Sequence, residues 1–73
     1  MDAVLDWQLT ERDLQIIDDL LHGWANKEIA RHLDVSNQTI KNQLTMLYRK
    51  VGVSGRVELV LFAVKRGVTG IRN

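Results

Sequence analysis

Residues 26–51 read NKEIARHLDVSNQTIKNQLTMLYRKV, and the fold turns on how this stretch divides. Ile29, Ala30 and Leu33 recur at helical spacing behind Asn26, a capping residue type, so a short helix of Lys27 to Leu33 is expected. Ala30 is small enough for another helix to cross closely. Asp34-Val35-Ser36 then breaks the period. An aspartate tolerates the left-handed backbone of a tight turn, and Ser36 is a good cap for a second helix. From Asn37 the period resumes, with Ile40, Leu44, Leu47, Tyr48 and Val51 inside about 100° of arc. Gly52 stops the helix after Val51. A short helix, a tight turn and a longer helix make a helix-turn-helix.

Upstream, Thr10 is placed as an N-cap with Glu11 and Asp13 in the first turn, and Leu9 is placed to staple onto Leu14. Leu14, Ile17, Leu20 and Leu21 form the apolar side, and Gly23 ends the run. Downstream, a helix from Gly55 to Arg66 is expected, capped by Ser54 and closed by Gly67. Residues 57–64 are rich in strand formers, yet no other segment offers a partner strand, and an isolated strand leaves its backbone unpaired. The expected fold is therefore all-α: a four-helix, bundle-like domain over residues 9–67, with tails at 1–8 and 68–73. The third helix is the expected recognition helix.

The chain has 73 residues, no cysteine and no proline. A domain of this size buries only about 60% of its unfolded surface, which leaves little room for a dry catalytic cleft. A binding module rather than an enzyme is expected. Without cysteine, disulfide frameworks and thiolate zinc sites are excluded. The longest apolar run, Leu59 to Val64, is six residues, against the roughly 18 of a membrane span. The first eight residues carry Asp2 and Asp6 and no base, so no secretory leader, no membrane and a cytoplasmic setting are expected. Charge is divided along the chain. Residues 1–34 hold eight acids and three bases, a balance of −5, whereas residues 35–73 hold seven bases and one acid, a balance of +6. The second half should carry a positive field that attracts a polyanion.

Opposite the apolar stripe of the third helix stand Gln38, Lys41, Asn42, Thr45 and Arg49, and no acid occurs from Asn37 to Val51. Amides pair with adenine and cations with guanine on base edges in the major groove of double-stranded DNA. Lys27, Lys41, Arg49, Lys50 and Arg56 are the candidates to displace counterions from phosphates. Arg56 reads equally well as a solvated first-turn residue.

The blocks Leu9-Thr10-Glu11-Arg12, Gly23, Asn26-Lys27-Glu28-Ile29-Ala30, Val35-Ser36, Thr39-Ile40-Lys41-Asn42, Tyr48-Arg49-Lys50 and Gly52-Val53 resemble the LuxR-type helix-turn-helix domain, in order and over nearly the whole chain. The resemblance implies a bacterial transcription regulator, often the output half of a response regulator, with RNA polymerase as a further partner. It places Lys41, Asn42 and Thr45 at base-contact positions and Lys27 with the turn Ser36, Asn37, Gln38 and Thr39 at phosphate-contact positions. It also implies a homodimer through the fourth helix. Gln43, Asp34 and Thr45 depart from the family's usual residues.

The remaining candidates read as structural. His22 and His32 are ten residues apart with no second ligand one turn away, so no metal or other cofactor is expected; His22 belongs near a helix C-terminus. Asp18 and Asp19 are neighbours that point apart, and a solvated face is expected for them. Ser36 and Thr39 lack an adjacent histidine base, the glycines form no phosphate loop, and Trp7 and Trp24 are expected to pack at the core or its joints. The fourth helix carries more apolar residues than one side can bury. Leu59, Val60 and Ala63 close the core, while Leu61 and Phe62 fall around the far side with Glu58 and Lys65 placed to pair between them, which marks these four as the dimer surface. The alternatives are a protein-interaction module using the same helix and a sigma-type promoter-reading domain.

Overall fold

A computed structural model describes residues 9–68. It contains α1 (Glu11–Leu21), α2 (Asn26–Leu33), α3 (Asn37–Val51) and α4 (Arg56–Arg66), and no strand among the described residues. The tail expected at residues 1–8, with Trp7, and residues 69–73 of the tail expected at 68–73 lie outside the described residues. α3 is the centre of the packing: it lies against α2 most extensively and against α1 and α4, while α1 also packs on α4.

Each boundary has a local cause. α1 opens with a reciprocal box in which Thr10 Oγ1 accepts from Asp13 N and Asp13 Oδ2 accepts from Thr10 N, both at 3.0 Å. Its last turn is closed by His22, whose Nδ1 lies 2.8 Å from Asp18 O. α2 begins one residue earlier than the sequence suggests: Ala25, not Asn26, is the N-cap. Glu28 Oε1 reaches back to Ala25 N at 2.7 Å, so the free donor at the helix start is satisfied by a carboxylate, leaving the Asn26 side chain for another partner. The turn into α3 is left-handed at Asp34, with φ 60° and ψ 47°, and Val35 N donates to Ala30 O at 2.9 Å. Ser36 Oγ caps α3 by accepting from Thr39 N at 3.0 Å, and Gly52 ends it at φ 81°. Residues 57–64 are helical as expected, but the start is corrected: Gly55 is the N-cap and Ser54 is not. The N–H of Ser54 is held instead by Glu58 Oε1 at 2.7 Å.

Ile16, Ile17, Leu20, Ile29, Ala30, Ile40, Leu44, Leu47, Val51, Leu59 and Ala63 form one core, joined by Val68 one residue beyond the expected domain end. Ile16 replaces Leu14 and Leu21 as a fully buried residue of α1; those two leucines are half-buried at its edge, beside Leu9. Three polar clasps tie the helices around this core. Lys50 Nζ of α3 meets Asp13 Oδ2 of α1 at 2.6 Å. His32 Nδ1 of α2 meets Asp19 Oδ2 of α1 at 2.8 Å. Arg56 of α4 donates through Nη1 to Asn26 Oδ1 at 3.3 Å and through Nη2 to Trp24 O. Asp19 is thus corrected from a solvated residue to one only 3% exposed. Burial of a carboxylate requires a hydrogen-bond partner, and His32 supplies it. Trp24, half-buried, stands edge-on to the His32 ring with centroids 5.2 Å apart, which is joint packing rather than an exposed platform.

Candidate nucleic-acid interface

The packing of α3 on three neighbours leaves one side of it to solvent. Gln38, Lys41, Asn42, Thr45 and Arg49 are all exposed there, on a helix with no carboxylate from end to end. The side chains are partly organised among themselves. Gln38 Nε2 donates to Asn42 Oδ1 at 3.0 Å, which couples the two amides one turn apart and leaves the Asn42 NH2 and the Gln38 oxygen outward for a base edge. Thr45 Oγ1 donates to Lys41 O at 3.1 Å. Its proton is therefore spent on the helix, and what it offers outward is an acceptor and a methyl group. At the start of α3 the Ser36 and Thr39 hydroxyls meet at 2.9 Å; Ser36 and Asn37 are exposed and Thr39 is half-buried. Exposed N–H groups and hydroxyls at a helix N-terminus suit a phosphate oxygen.

The cations fall into two groups. Lys27, in the first turn of α2, and Lys41 and Arg49 on α3 are exposed. Lys50 and Arg56 are drawn into the clasps on Asp13 and on Trp24 and Asn26, because each lies at the edge of its helix's buried side. The same guanidinium bears on Tyr48, whose phenol is pushed up by burial against a smaller downward pull from Arg56.

The expected dimer quartet is also divided. Leu61 and Lys65 are exposed, but the Phe62 ring rests against the core with the Arg66 guanidinium 5.6 Å from its centroid. Glu58 is turned back onto Ser54 N rather than toward Lys65. The exposed apolar row on α4 is instead Val57, Leu61 and Val64, at 72%, 56% and 64% exposure. The spacing of i, i+4 and i+7 was available in the sequence as its signal. Met46, 64% exposed on α3, is a further surface residue that labelling by hydrophobicity passes over.

The surface of the described residues includes a shallow notch of about 400 Å³ lined by Trp24, Glu28, Arg31 and His32 and a groove of about 250 Å³ between the start of α1 and α3. Among the described residues no three His, Cys, Asp or Glu side chains are grouped to hold a metal ion, and no helix is long and apolar enough to cross a membrane.

Comparison with known proteins bears on this arrangement. The family model described as "Bacterial regulatory proteins, luxR family" matches residues 7–63. The chain is 38% identical over 66 residues to the transcriptional regulatory protein YdfI of Bacillus subtilis, covering 90% of this chain and 31% of that one. It is 43% identical over 60 residues to the nitrate/nitrite response regulator protein NarP of Escherichia coli, covering 81% of this chain and 28% of that one. A putative HTH-type transcriptional regulator of Mycobacterium bovis is 43% identical over 58 residues, covering 80% of this chain and 6% of its own. The chain thus spans less than a third of the length of these relatives. No solved structure gives a significant match.

Proposed function

The chain belongs to the luxR family of bacterial regulatory proteins, and from that membership and its surface we propose that it is a sequence-specific DNA-binding domain of a transcription regulator, working in the bacterial cytoplasm with α3 in the major groove. The observation that carries this reading is the outward side of α3, where Gln38, Lys41, Asn42, Thr45 and Arg49 are exposed together with no acid among them. Lys41 and Asn42, with the Gln38 amide coupled to Asn42, read base edges, and Thr45 adds an acceptor and a methyl. Lys27, Arg49 and the Ser36-Asn37-Thr39 turn hold phosphates, which fixes the register but carries no sequence information. Lys50 and Arg56 act first as clasps that set the positions of the helices, and any phosphate contact they make is secondary to that.

The row Val57, Leu61 and Val64 supports a homodimer about a two-fold axis, since a self-complementary apolar strip is covered most simply by its own copy. Two reading helices at fixed separation predict two similar half-sites about 10 bp apart between centres. RNA polymerase is the further partner that a transcription regulator of this kind would meet on the promoter.

Selection from random duplex DNA tests the proposal. An enriched motif with internal two-fold symmetry is expected; Asn42→Ala should alter that motif at a cost of about 1–3 kcal/mol, and Lys27→Ala should weaken all sequences alike. Enrichment of no motif would overturn it.

A further inference from the structure

Met46 is 64% exposed in the middle of a helix whose aliphatic residues Ile40, Leu44, Leu47 and Val51 are all buried. At about 100° per residue it sits roughly 50° from the line opposite these four residues, as far on one side of that line as Thr45 lies on the other. Asn42 precedes it by one turn and Arg49 follows it by one turn on the same side. Its surroundings suit a polyanion. No acid lies on α3, and the carboxylate that shares the adjoining groove, Asp13, is already bound by Lys50 at 2.6 Å. The hydroxyl proton of the adjacent Thr45 is committed to Lys41 O, and two turns away one of the two Gln38 N–H donors is committed to Asn42 Oδ1, so the outward side is less rich in free donors than its composition suggests. The one apolar feature that a base pair shows in the major groove is the 5-methyl group of thymine. Methionine is long, unbranched and polarisable, and it reaches from a helix shaft to such a group without fixing a single rotamer.

We propose that Met46 is a specificity-determining residue that packs its thioether against the 5-methyl of a thymine adjacent to the base pair read by Asn42. The inference rests on the reading of α3 as the DNA-reading helix and adds to it a base preference that the amides and cations do not supply.

The test uses the 73-residue chain and its selected motif, with each thymine replaced in turn by deoxyuridine, which removes only the 5-methyl. The expected result is one thymine per half-site at which the replacement weakens binding about fourfold, the worth of one buried group of methylene size. Met46→Ala should keep its circular dichroism, since the side chain is exposed, bind the thymine duplex more weakly and no longer distinguish deoxyuridine there. Met46→Leu should restore the distinction. A wild-type complex indifferent to every replacement, a motif with no fixed thymine, or undiminished discrimination by Met46→Ala overturns the proposal; the last outcome assigns the methyl contact to another residue such as Thr45. Specific binding that ignores deoxyuridine overturns this inference alone, whereas binding without sequence preference overturns the reading on which it rests.

Discussion

Lys50 Nζ on α3 lies 2.6 Å from Asp13 Oδ2 on α1, and the same oxygen accepts from the backbone N–H of Thr10. One carboxylate therefore starts a helix and fastens the proposed reading helix to it. Lys50, which its place in the sequence offers as a phosphate ligand, is paired to Asp13, which favours a role in positioning α3.

This division of labour sets the expected salt dependence of DNA binding. With Lys27 and Arg49 as the cations that hold phosphates, the slope of log affinity against log salt should be about −1.8 per domain. Lys27→Ala should reduce its magnitude by about 1, and Lys50→Ala should leave it unchanged. Fluorescence anisotropy on a labelled duplex across a salt series measures both. A slope lowered by Lys50→Ala would place that ammonium on the DNA.

Asp13→Ala removes two supports at once. Losing its half of the α1 capping box and its partnership with Thr10 costs about 1 kcal/mol, and the pair with the partly exposed Lys50 adds less than about 1 kcal/mol. Urea unfolding should therefore show a loss of about 1–2 kcal/mol with the m-value unchanged. Lys50→Ala should cost the smaller share, because Asp13 keeps the Thr10 N–H.

The parts of the fold legible in the sequence were those decided within a few residues. Ser36 and Gly52 delimit α3, and Asp34 adopts the left-handed turn, because each acts on its own backbone. Where two local groups compete, the outcome was hidden: the Glu28 carboxylate makes Ala25 the cap, and Glu58 takes the N–H of Ser54. Contacts between distant residues left no local trace. Asp19 with His32 and Arg56 with Trp24 are tertiary pairings, and periodicity shows only that such residues border a buried side. The outward side of α3 was legible as a set of residue types; the coupling of Gln38 to Asn42 and the retirement of the Thr45 proton needed coordinates.

Tyr48 should make stability depend on pH in the alkaline range. Burial raises its phenol pKa above the ordinary value of about 10, so the folded state prefers the neutral ring. The stabilisation this represents is complete below the unfolded value and is lost as pH rises through the raised one. Urea midpoints measured from pH about 8 to 11 should fall more steeply for the wild type than for Tyr48→Phe, which has no proton to lose there. Parallel curves would show that the ring ionises freely in the fold.

The exposed row on α4 leads to the most direct test of the dimer. Val57, Leu61 and Val64 are each more than half exposed, while Leu59 and Ala63 on the other side close the core. A charge at the middle of the row therefore disturbs the proposed association surface and leaves internal packing alone. Leu61→Lys should keep the helical circular dichroism and the urea midpoint of the wild type, since a surface substitution is ordinarily worth within about 0.5 kcal/mol. On a duplex with one half-site its affinity should equal that of the wild type. With two half-sites the wild type should fill the second site cooperatively, whereas the variant should fill the two independently, because two lysines would face each other across the axis. Phe62→Ala serves as the contrast: the ring rests on the core, so its loss should lower stability by more than it lowers cooperativity. Retention of full cooperativity by Leu61→Lys would remove α4 as the dimer surface and leave its apolar row to a different protein partner.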